Sequence, residues 1–405
     1  MKQLQFKVFL LILVFDSLAS AQKFRSYIAQ LNDSSFTLAW GSTEGTSKNT
    51  IGRAAQSQGA AVLQVAGRSY STNQSWYQMT GLSPDTNYKY ELKLNGQFIA
   101  SGTVRTWPRK TQSLTFFVIG DWGNGSKTQF RIAARMEEER QRLAQTNSPV
   151  RFVISTGDNI YKGGSRDRDW EQKFFAPYQD TLKAIPFYAV LGNHDGNESE
   201  ASADLPASLD NFFSPAGQMT RWYHFQYGGF AEFFALDSTT NQHPSATSPA
   251  YLEAGEQSQW LKRQLANKPL DWRIAIMHHP IFTAGPNHPP AMPKLRHWFE
   301  DFRKNGVSAI FAGHEHNLQI SERNPASGNM QFVVSGAGGE LRSSSVRKQM
   351  KSRNIAGWAA QAHFLLVQIE GESMTILPFG TNPINLQNQS GGSIPLPIRV
   401  PRRVN

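Results

Sequence analysis

The sequence predicts a multidomain protein of the α+β and α/β classes, in which an N-terminal β-sandwich precedes an α/β domain. Residues 35–40 and 88–94 alternate between apolar and polar side chains with period two, which is typical of half-buried strands. After residues 108–113, apolar strand-like runs alternate with helical stretches, which is the pattern of a parallel sheet with crossover helices. The 405 residues suffice for two domains. We therefore predict a β-sandwich over 22–107, a linker over 108–113, an α/β domain over 114–380 and a tail over 381–405.

The first residues have the pattern of a cleaved signal peptide. Lys2 and Lys7 flank the start of an apolar run over residues 8–15, and Ala19 to Ala21 supply the small residues of a cleavage site. The apolar run is too short to span a bilayer, and no other segment is apolar for long enough. We therefore expect residues 1–21 to be removed and the mature protein to be secreted or periplasmic, with no membrane span.

The composition restricts the chemistry and the partners of the protein. The chain has no cysteine, which excludes disulfides, disulfide-linked dimers, thiolate metal sites and cysteine nucleophiles. Cleavage at residue 21 would remove Lys2, Lys7 and Asp16 and change the formal net charge from +10 to +9. The sequence has no basic run interleaved with aromatic residues, which is the pattern that would favour nucleic-acid binding. The positive charge would raise the local concentration of small anionic substrates or simply keep the protein soluble. The sequence does not indicate the oligomeric state.

The N-terminal β-sandwich carries no cluster of histidine and aspartate. Its segment 81–88 resembles the tyrosine corner of fibronectin type III domains, in which a tyrosine hydroxyl, here that of Tyr88, bonds back to the preceding turn. Asn95-Gly96 is a hairpin turn signal. We predict a fibronectin type III-like scaffold or docking domain without chemistry of its own.

Five apolar strands of the second domain each end in polar side chains that are able to bind metal. The carboxyl ends of strands are where an open α/β sheet places its site, so these side chains should lie together. A carboxylate can place one oxygen on each of two cations, and a phenolate is a hard ligand suited to a trivalent metal, which singles out Asp158 and Tyr161. The strand ends carry Asp121; Asp158 with Tyr161; Asn193 with His194; His278; and His314 with His316.

The sequences around these strand ends resemble the five motif blocks of the metallophosphoesterases. They read Gly-Asp-Trp-Gly, Gly-Asp-Asn-Ile-Tyr, Gly-Asn-His-Asp, His-x-Pro and Gly-His-Glu-His. Among the metallophosphoesterases, the presence of Tyr161 makes the sequence most similar to the purple acid phosphatases. It covers residues 114–380 and implies a four-layer αββα catalytic domain. In the fourth block Ala275 stands where valine is usual, and both His278 and His279 are candidates, of which the His-x-Pro pattern favours His278.

The resemblance also implies an assignment of the site residues. Asp121, Asp158, Tyr161 and His316 would hold a trivalent iron, with Asp158 as the bridge to a second ion. Asp158, Asn193, His278 and His314 would hold that second, divalent ion, which is iron, zinc or manganese. His194 and His288 would line the substrate pocket.

The implied reaction is hydrolysis of phosphate monoesters by attack of a metal-activated hydroxide on phosphorus. Two alternatives stay open at this point. The same metal blocks serve phosphodiesterases, and the loops over 197–220 and 239–255 should decide between the two classes of ester. A non-catalytic exported binding protein with a vestigial site would lack ligands, yet none of the implied set is missing.

Overall fold

The computed structural model describes residues 24–43, 56–161, 167–195, 209–212, 220–239, 251–285 and 287–403. The predicted signal peptide lies outside these residues, as does most of each loop expected to decide the class of ester. None of the described helices combines the length and the apolar character that crossing a bilayer requires.

The N-terminal region is all β and contains two antiparallel sheets. One sheet has the strand order β1-β2-β5 and the other has the order β4-β3-β6-β7. The backbone N–H of Ser83 donates to the hydroxyl of Tyr88 at 2.8 Å, which is the contact expected of a tyrosine corner. The strands are β1 (Phe24–Leu31), β2 (Phe36–Ser42), β3 (Gln56–Val65), β4 (Arg68–Gln74), β5 (Trp76–Met79), β6 (Asn87–Leu94) and β7 (Gln97–Arg105).

The second region has a six-stranded sheet in the order β10-β9-β8-β18-β19-β20. The strands β8, β9 and β10 are parallel, as the β-α-β-α-β order of the sequence predicts, and the other pairs are antiparallel. Ile398–Pro401 forms an edge strand within the segment that we expected to be a tail. The strands are β8 (Ser113–Ile119), β9 (Val150–Ser155), β10 (Phe187–Ala189), β18 (His363–Glu370), β19 (Ser373–Gly380) and β20 (Ile398–Pro401).

A seven-stranded sheet packs against the first in the order β11-β12-β13-β14-β16-β15-β17. Its central pairs, from β12 to β16, are parallel, because helical crossovers join β12 to β13 and β13 to β14. The strands are β11 (Tyr223–Tyr227), β12 (Ala231–Ala235), β13 (Trp272–Ile276), β14 (Val307–Ala312), β15 (Leu318–Ser321), β16 (Gln331–Ser335) and β17 (Ile355–Ala359).

Helices cover the outer face of each sheet, so the region has four layers in the order αββα. In β8, Phe116 and Val118 point into the core between the sheets, while Phe117 and Ile119 pack under the helices. A strand covered on both faces needs a continuous apolar run, which is why β8 is buried throughout except at its first residue. The helices are α1 (Lys127–Ala144), α2 (Asp167–Trp170), α3 (Ala176–Leu182), α4 (Glu256–Leu265) and α5 (Met292–Lys304), and a π-helical turn (Glu171–Phe175) joins α2 to α3.

Candidate metal centre

The predicted ligands meet at the carboxyl ends of strands from both sheets. The oxygen donors follow β8, β9 and β10 of the six-stranded sheet, and the histidines follow β13 and β14 of the seven-stranded sheet. The site therefore lies between the sheets. The oxygen donors are Asp121, Asp158, Tyr161 and Asn193, and the histidines are His278, His314 and His316.

The first group of ligand atoms surrounds the hydroxyl of Tyr161. This hydroxyl donates to Oδ2 of Asp158 at 2.9 Å, and it lies 3.1 Å from Oδ1 of Asp121 and 3.2 Å from Nε2 of His316. Ligand atoms of Asp121, Asp158 and His316 all lie within 4.8 Å of one another, which is a spacing that can hold a metal ion.

A second group of ligand atoms surrounds Nε2 of His278. This nitrogen lies 3.0 Å from Oδ1 of Asn193, 3.2 Å from Nδ1 of His314 and 3.4 Å from Oδ1 of Asp158. The two oxygens of Asp158 thus face the two groups separately, as a bridging carboxylate requires. Nδ1 of the neighbouring His279 instead lies 3.0 Å from the hydroxyl of Ser238.

Hydrogen bonds leave the metal-facing nitrogen of His278 free for a cation. Nδ1 of His278 lies 2.9 Å from the carbonyl oxygen of Thr156 and donates to it, so the lone pair is on Nε2. Burial lowers the pKa of His278 to about 3, so the imidazole is neutral, which is the form that binds metal. Burial also lowers the pKa of His314 and that of His316.

The carboxylates are buried with too little positive charge near them. Asp121 and Asp158 are 0% and 1% exposed. Burial, with the charge of Asp158 in addition, raises the pKa of Asp121 well above its usual range. Burial and the charges of both carboxylates also raise the pKa of Tyr161 well above its usual value. Hard oxygen and nitrogen donors with surplus negative charge are the donor set of two cations, so the residues present fit a binuclear centre.

Three of the predicted ligands have a strained backbone conformation. Asp121, Asp158 and His314 have φ angles of 54°, 51° and 71°, in the left-handed region that costs a residue with a Cβ about 1–2 kcal/mol. Such strain persists where the surrounding structure imposes it and is frequent at functional sites. The preceding loops need glycine for space, because a Cβ on Gly192 would collide with Asp158 and one on Gly313 with Asp121.

His194 and His288, which the resemblance places at the substrate, lie at the rim of the centre. The backbone N–H of His194 donates to Oδ1 of Asp158 at 2.9 Å, and its exposed ring is 4.7 Å from the ring of Tyr161. The ring of His288 is 3.9 Å from that of His314, measured between centroids. Both imidazoles therefore border the ligand atoms.

Residues with no role in the sequence prediction support this arrangement. Asp195 accepts hydrogen bonds from the backbone N–H groups of Asn159 and Gly192, both at 2.8 Å, and so ties the loop of Asp158 to that of Asn193. Burial, with the charge of Asp158, raises the pKa of Asp195 to about 8. Its position as the last residue of the Gly-Asn-His-Asp block could have identified Asp195 from the sequence.

Glu315 and Arg342 were also missed. Oε1 of Glu315 accepts the backbone N–H of His288 at 2.7 Å and lies 3.1 Å from its Nδ1. Nη1 of Arg342 lies 3.3 Å from the same Nδ1. Glu315 stands between two predicted ligands in the sequence, whereas nothing local to Arg342 indicates its place at the site.

Comparisons with known proteins identify the family. The family model of the calcineurin-like phosphoesterases matches residues 114–318. The chain is 30% identical to human tartrate-resistant acid phosphatase type 5 over 297 residues, which cover 66% of this chain and 87% of that protein. It is 30% identical to purple acid phosphatase 3 of Arabidopsis thaliana over 255 residues, which cover 57% of this chain and 65% of that protein.

A solved structure extends the similarity of the fold to the N-terminal region. The purple acid phosphatase from yellow lupin seeds superposes with a TM-score of 0.65 at 14% identity, over 92% of this chain and 73% of that one. The chain belongs to the calcineurin-like phosphoesterase family of hydrolases and is homologous to the purple acid phosphatases.

Proposed function

We propose that this protein is an exported acid phosphatase that hydrolyses phosphate monoesters at a binuclear metal centre. The observation that supports it most is the position of Asp158, whose Oδ2 lies 2.9 Å from the hydroxyl of Tyr161 and whose Oδ1 lies 3.4 Å from Nε2 of His278. One carboxylate facing two separate sets of donors is the arrangement of a bridging ligand.

The two donor sets suit different ions. Asp121, Asp158, Tyr161 and His316 offer three anionic oxygens once the phenol has lost its proton, which favours trivalent iron. The second set adds the amide oxygen of Asn193 and two imidazoles to Asp158, and it suits divalent iron, zinc or manganese. When bound, such a pair supplies Lewis acidity toward the phosphoryl oxygens and lowers the pKa of water.

The chain itself contributes orientation and proton transfer. The hydrogen bond from the backbone of His194 to Asp158 fixes where that imidazole stands, and the ring contact with His314 fixes His288. From the rim, each imidazole can donate to a phosphoryl oxygen or protonate the leaving alkoxide. Glu315 orients His288, because its Oε1 accepts the backbone N–H of that residue at 2.7 Å.

The remaining proposals concern export and the N-terminal region. We propose that residues 1–21 are a signal peptide and that residues 22–107 form a fibronectin type III-like domain. The bond from Ser83 to the hydroxyl of Tyr88 supports the second of these. The contact between the hydroxyl of Tyr90 and the carbonyl oxygen of Lys183, at 2.9 Å, supports a scaffold role for this domain, since it joins β6 to the segment after α3.

The test is hydrolysis of p-nitrophenyl phosphate by full-length protein loaded with iron and then with zinc or manganese. We expect turnover at acidic pH that the Asp158→Asn variant lacks, and slower turnover of bis(p-nitrophenyl) phosphate. Faster turnover of the diester would make the protein a phosphodiesterase. No turnover of either ester by protein that holds two metal ions would leave the non-catalytic binding protein as the better account.

A further inference from the structure

The loop after β16 carries Arg342 back over the metal centre. The backbone N–H groups of Gly339 and Glu340 donate to the carbonyl oxygen of Asp121 at 3.0 and 2.9 Å. The backbone N–H of Arg342 donates to the carbonyl oxygen of His316 at 2.8 Å. The backbone carbonyls of Asp121 and His316, which follow strands of different sheets, therefore fix the loop and hold Arg342 beside the site.

The side chain of Arg342 has a single polar contact within the described residues, and that contact is contested. Nδ1 of His288 lies 3.3 Å from Nη1 of Arg342 and 3.1 Å from Oε1 of Glu315. An imidazole nitrogen can accept a hydrogen bond from the guanidinium or donate one to the carboxylate, but it cannot do both at once. When His288 donates to Glu315, all the N–H groups of Arg342 are available to another acceptor.

Two other arginines of low exposure have carboxylate partners. Arg25 contacts Glu171 at 2.6 Å, and Arg273 contacts Glu232 at the same distance. Across the part of the chain that the structure describes, no carboxylate oxygen lies within 4.0 Å of the guanidinium of Arg342. A half-buried guanidinium without an anion, at the edge of a phosphate site, presents a planar fork that matches two phosphoryl oxygens.

We propose that Arg342 binds the phosphoryl group of the substrate through two of its oxygens and thereby sets a preference for monoester dianions over diester monoanions. This inference rests on the proposed phosphatase function. A monoester brings one more negative charge and one more unesterified oxygen than a diester. A fixed cation at the rim therefore acts more strongly on the monoester. A diester has only two unesterified oxygens, which the metal ions and the guanidinium would have to share.

The experiment compares metal-loaded wild type with Arg342→Gln, Arg342→Lys and the control Arg353→Gln. Arg353 is exposed on the short 3-10 turn Lys351–Arg353, so its variant removes the same charge from the same region of the chain. We expect Arg342→Gln to lower kcat/KM for p-nitrophenyl phosphate on the order of 100-fold, since a hydrogen bond to a charged group is lost. The loss of kcat/KM for bis(p-nitrophenyl) phosphate in Arg342→Gln should be under about threefold. For p-nitrophenyl phosphate, the kcat/KM of Arg342→Lys should lie between those of wild type and Arg342→Gln, and that of Arg353→Gln should match wild type.

A binding measurement accompanies the kinetics and does not depend on turnover. Inorganic phosphate titrated into each metal-loaded protein by calorimetry should bind more weakly to Arg342→Gln by a similar factor, with the metal content unchanged. Equal losses for both esters, no loss for either, unchanged phosphate affinity or loss of metal would each overturn the role of Arg342. If wild type hydrolyses neither ester, the proposed function fails, and phosphate affinity alone decides the role of Arg342.

Discussion

The hydroxyl of Tyr161 donates a hydrogen bond to Asp158, three residues earlier in the same loop, with 2.9 Å between Oη and Oδ2. Burial and the charges of Asp121 and Asp158 raise the pKa of this phenol well above its usual value, so it keeps its proton until a cation takes its place. If trivalent iron binds here as proposed, it would displace that proton, and Asp158 and Tyr161 of the same loop would each offer an anionic oxygen.

This relationship predicts the colour of the protein. Iron-loaded, oxidised wild type should be pink to purple, because a phenolate bound to ferric iron absorbs visible light by charge transfer. Tyr161→Phe should be colourless while it keeps much of its iron, since the other donors of that set remain. Absorption spectra with iron analysis check this, and a flat visible region in wild type or an unchanged band in Tyr161→Phe would contradict it.

Asp158→Ala should lose both ions, because one side chain faces both donor sets. Elemental analysis after dialysis is expected to find less than one ion per chain, with activity lost in parallel. Asp180→Ala is the matched control, because the side chain of Asp180 is 74% exposed and, among the residues that the structure describes, forms its ion pair with Lys183 alone. Two ions per chain and normal turnover in Asp158→Ala would exclude a bridging role.

His288→Ala should slow turnover roughly 100-fold and keep both metals, since general acid catalysis contributes at least that much. His278→Ala is the contrasting variant. Nε2 of His278 lies among the ligand atoms, so its loss should remove the second ion. Elemental analysis and kcat for the two variants are the measurements. A missing ion in His288→Ala would make that residue a ligand.

Asp195→Asn should weaken metal binding while the fold is retained. The four hydrogen bonds that Asp195 accepts, from the backbone of Asn159, Ile160 and Gly192 and from the amide of Asn159, join the two loops that carry Asp158 and Asn193. Loss of such a support lowers metal affinity about 10- to 100-fold. Competition with a chelator measures it, and the idea is wrong if wild type and variant release metal at the same chelator concentration.

Glu232 should make the stability of the protein depend on pH. Burial opposes its ionisation, but hydrogen bonds from His224, the backbone of Leu270 and Arg273 outweigh this and lower its pKa below the usual 4.5. A carboxyl whose pKa is lower in the folded than in the unfolded state stabilises the fold at pH values above its unfolded-state pKa. This stabilisation is lost as the pH falls through its folded-state pKa.

We therefore expect Glu232→Gln to destabilise the protein by about 3 kcal/mol at pH 7, because it leaves the buried Arg273 without its anion. The difference from wild type should shrink as the pH falls below 4.5. Urea denaturation at pH 7 and in acid measures it, with Glu253→Gln, at a side chain that is 72% exposed, as the control. A difference that does not change with pH would rule out the charge as its cause.

The sequence indicates the strands that have a regular apolar pattern. Residues 223–227 and 331–335 form strands, because an alternating and a continuous apolar run, respectively, determine them locally. The strands β15, β17 and β20 were missed. Leu318–Ser321 is short and half polar, Ile355–Ala359 includes a glycine, and Ile398–Pro401 includes a proline, so their pairing depends on neighbours distant in the chain.

The prediction of the site was limited in the same way. The strand-end pattern indicated which residues meet, because a carboxylate or an imidazole after an apolar strand is visible locally. It did not indicate that oxygen and nitrogen donors come from different sheets, since no local feature says which strands pair. Arg342 is the clearest case, because its place beside His288 depends on a loop fixed by the backbones of Asp121 and His316.

The division of the donors between the sheets has a mechanical consequence. Each ion would bind oxygens that follow strands of the six-stranded sheet and at least one imidazole that follows a strand of the seven-stranded sheet. The two ions would therefore cross-link the two sheets in a chain that has no cysteine. An ion present at 1,000 times its dissociation constant adds about 4 kcal/mol to the free energy of unfolding. If the protein is exported as proposed, the two ions would take the stabilising role that disulfides have in many small exported proteins.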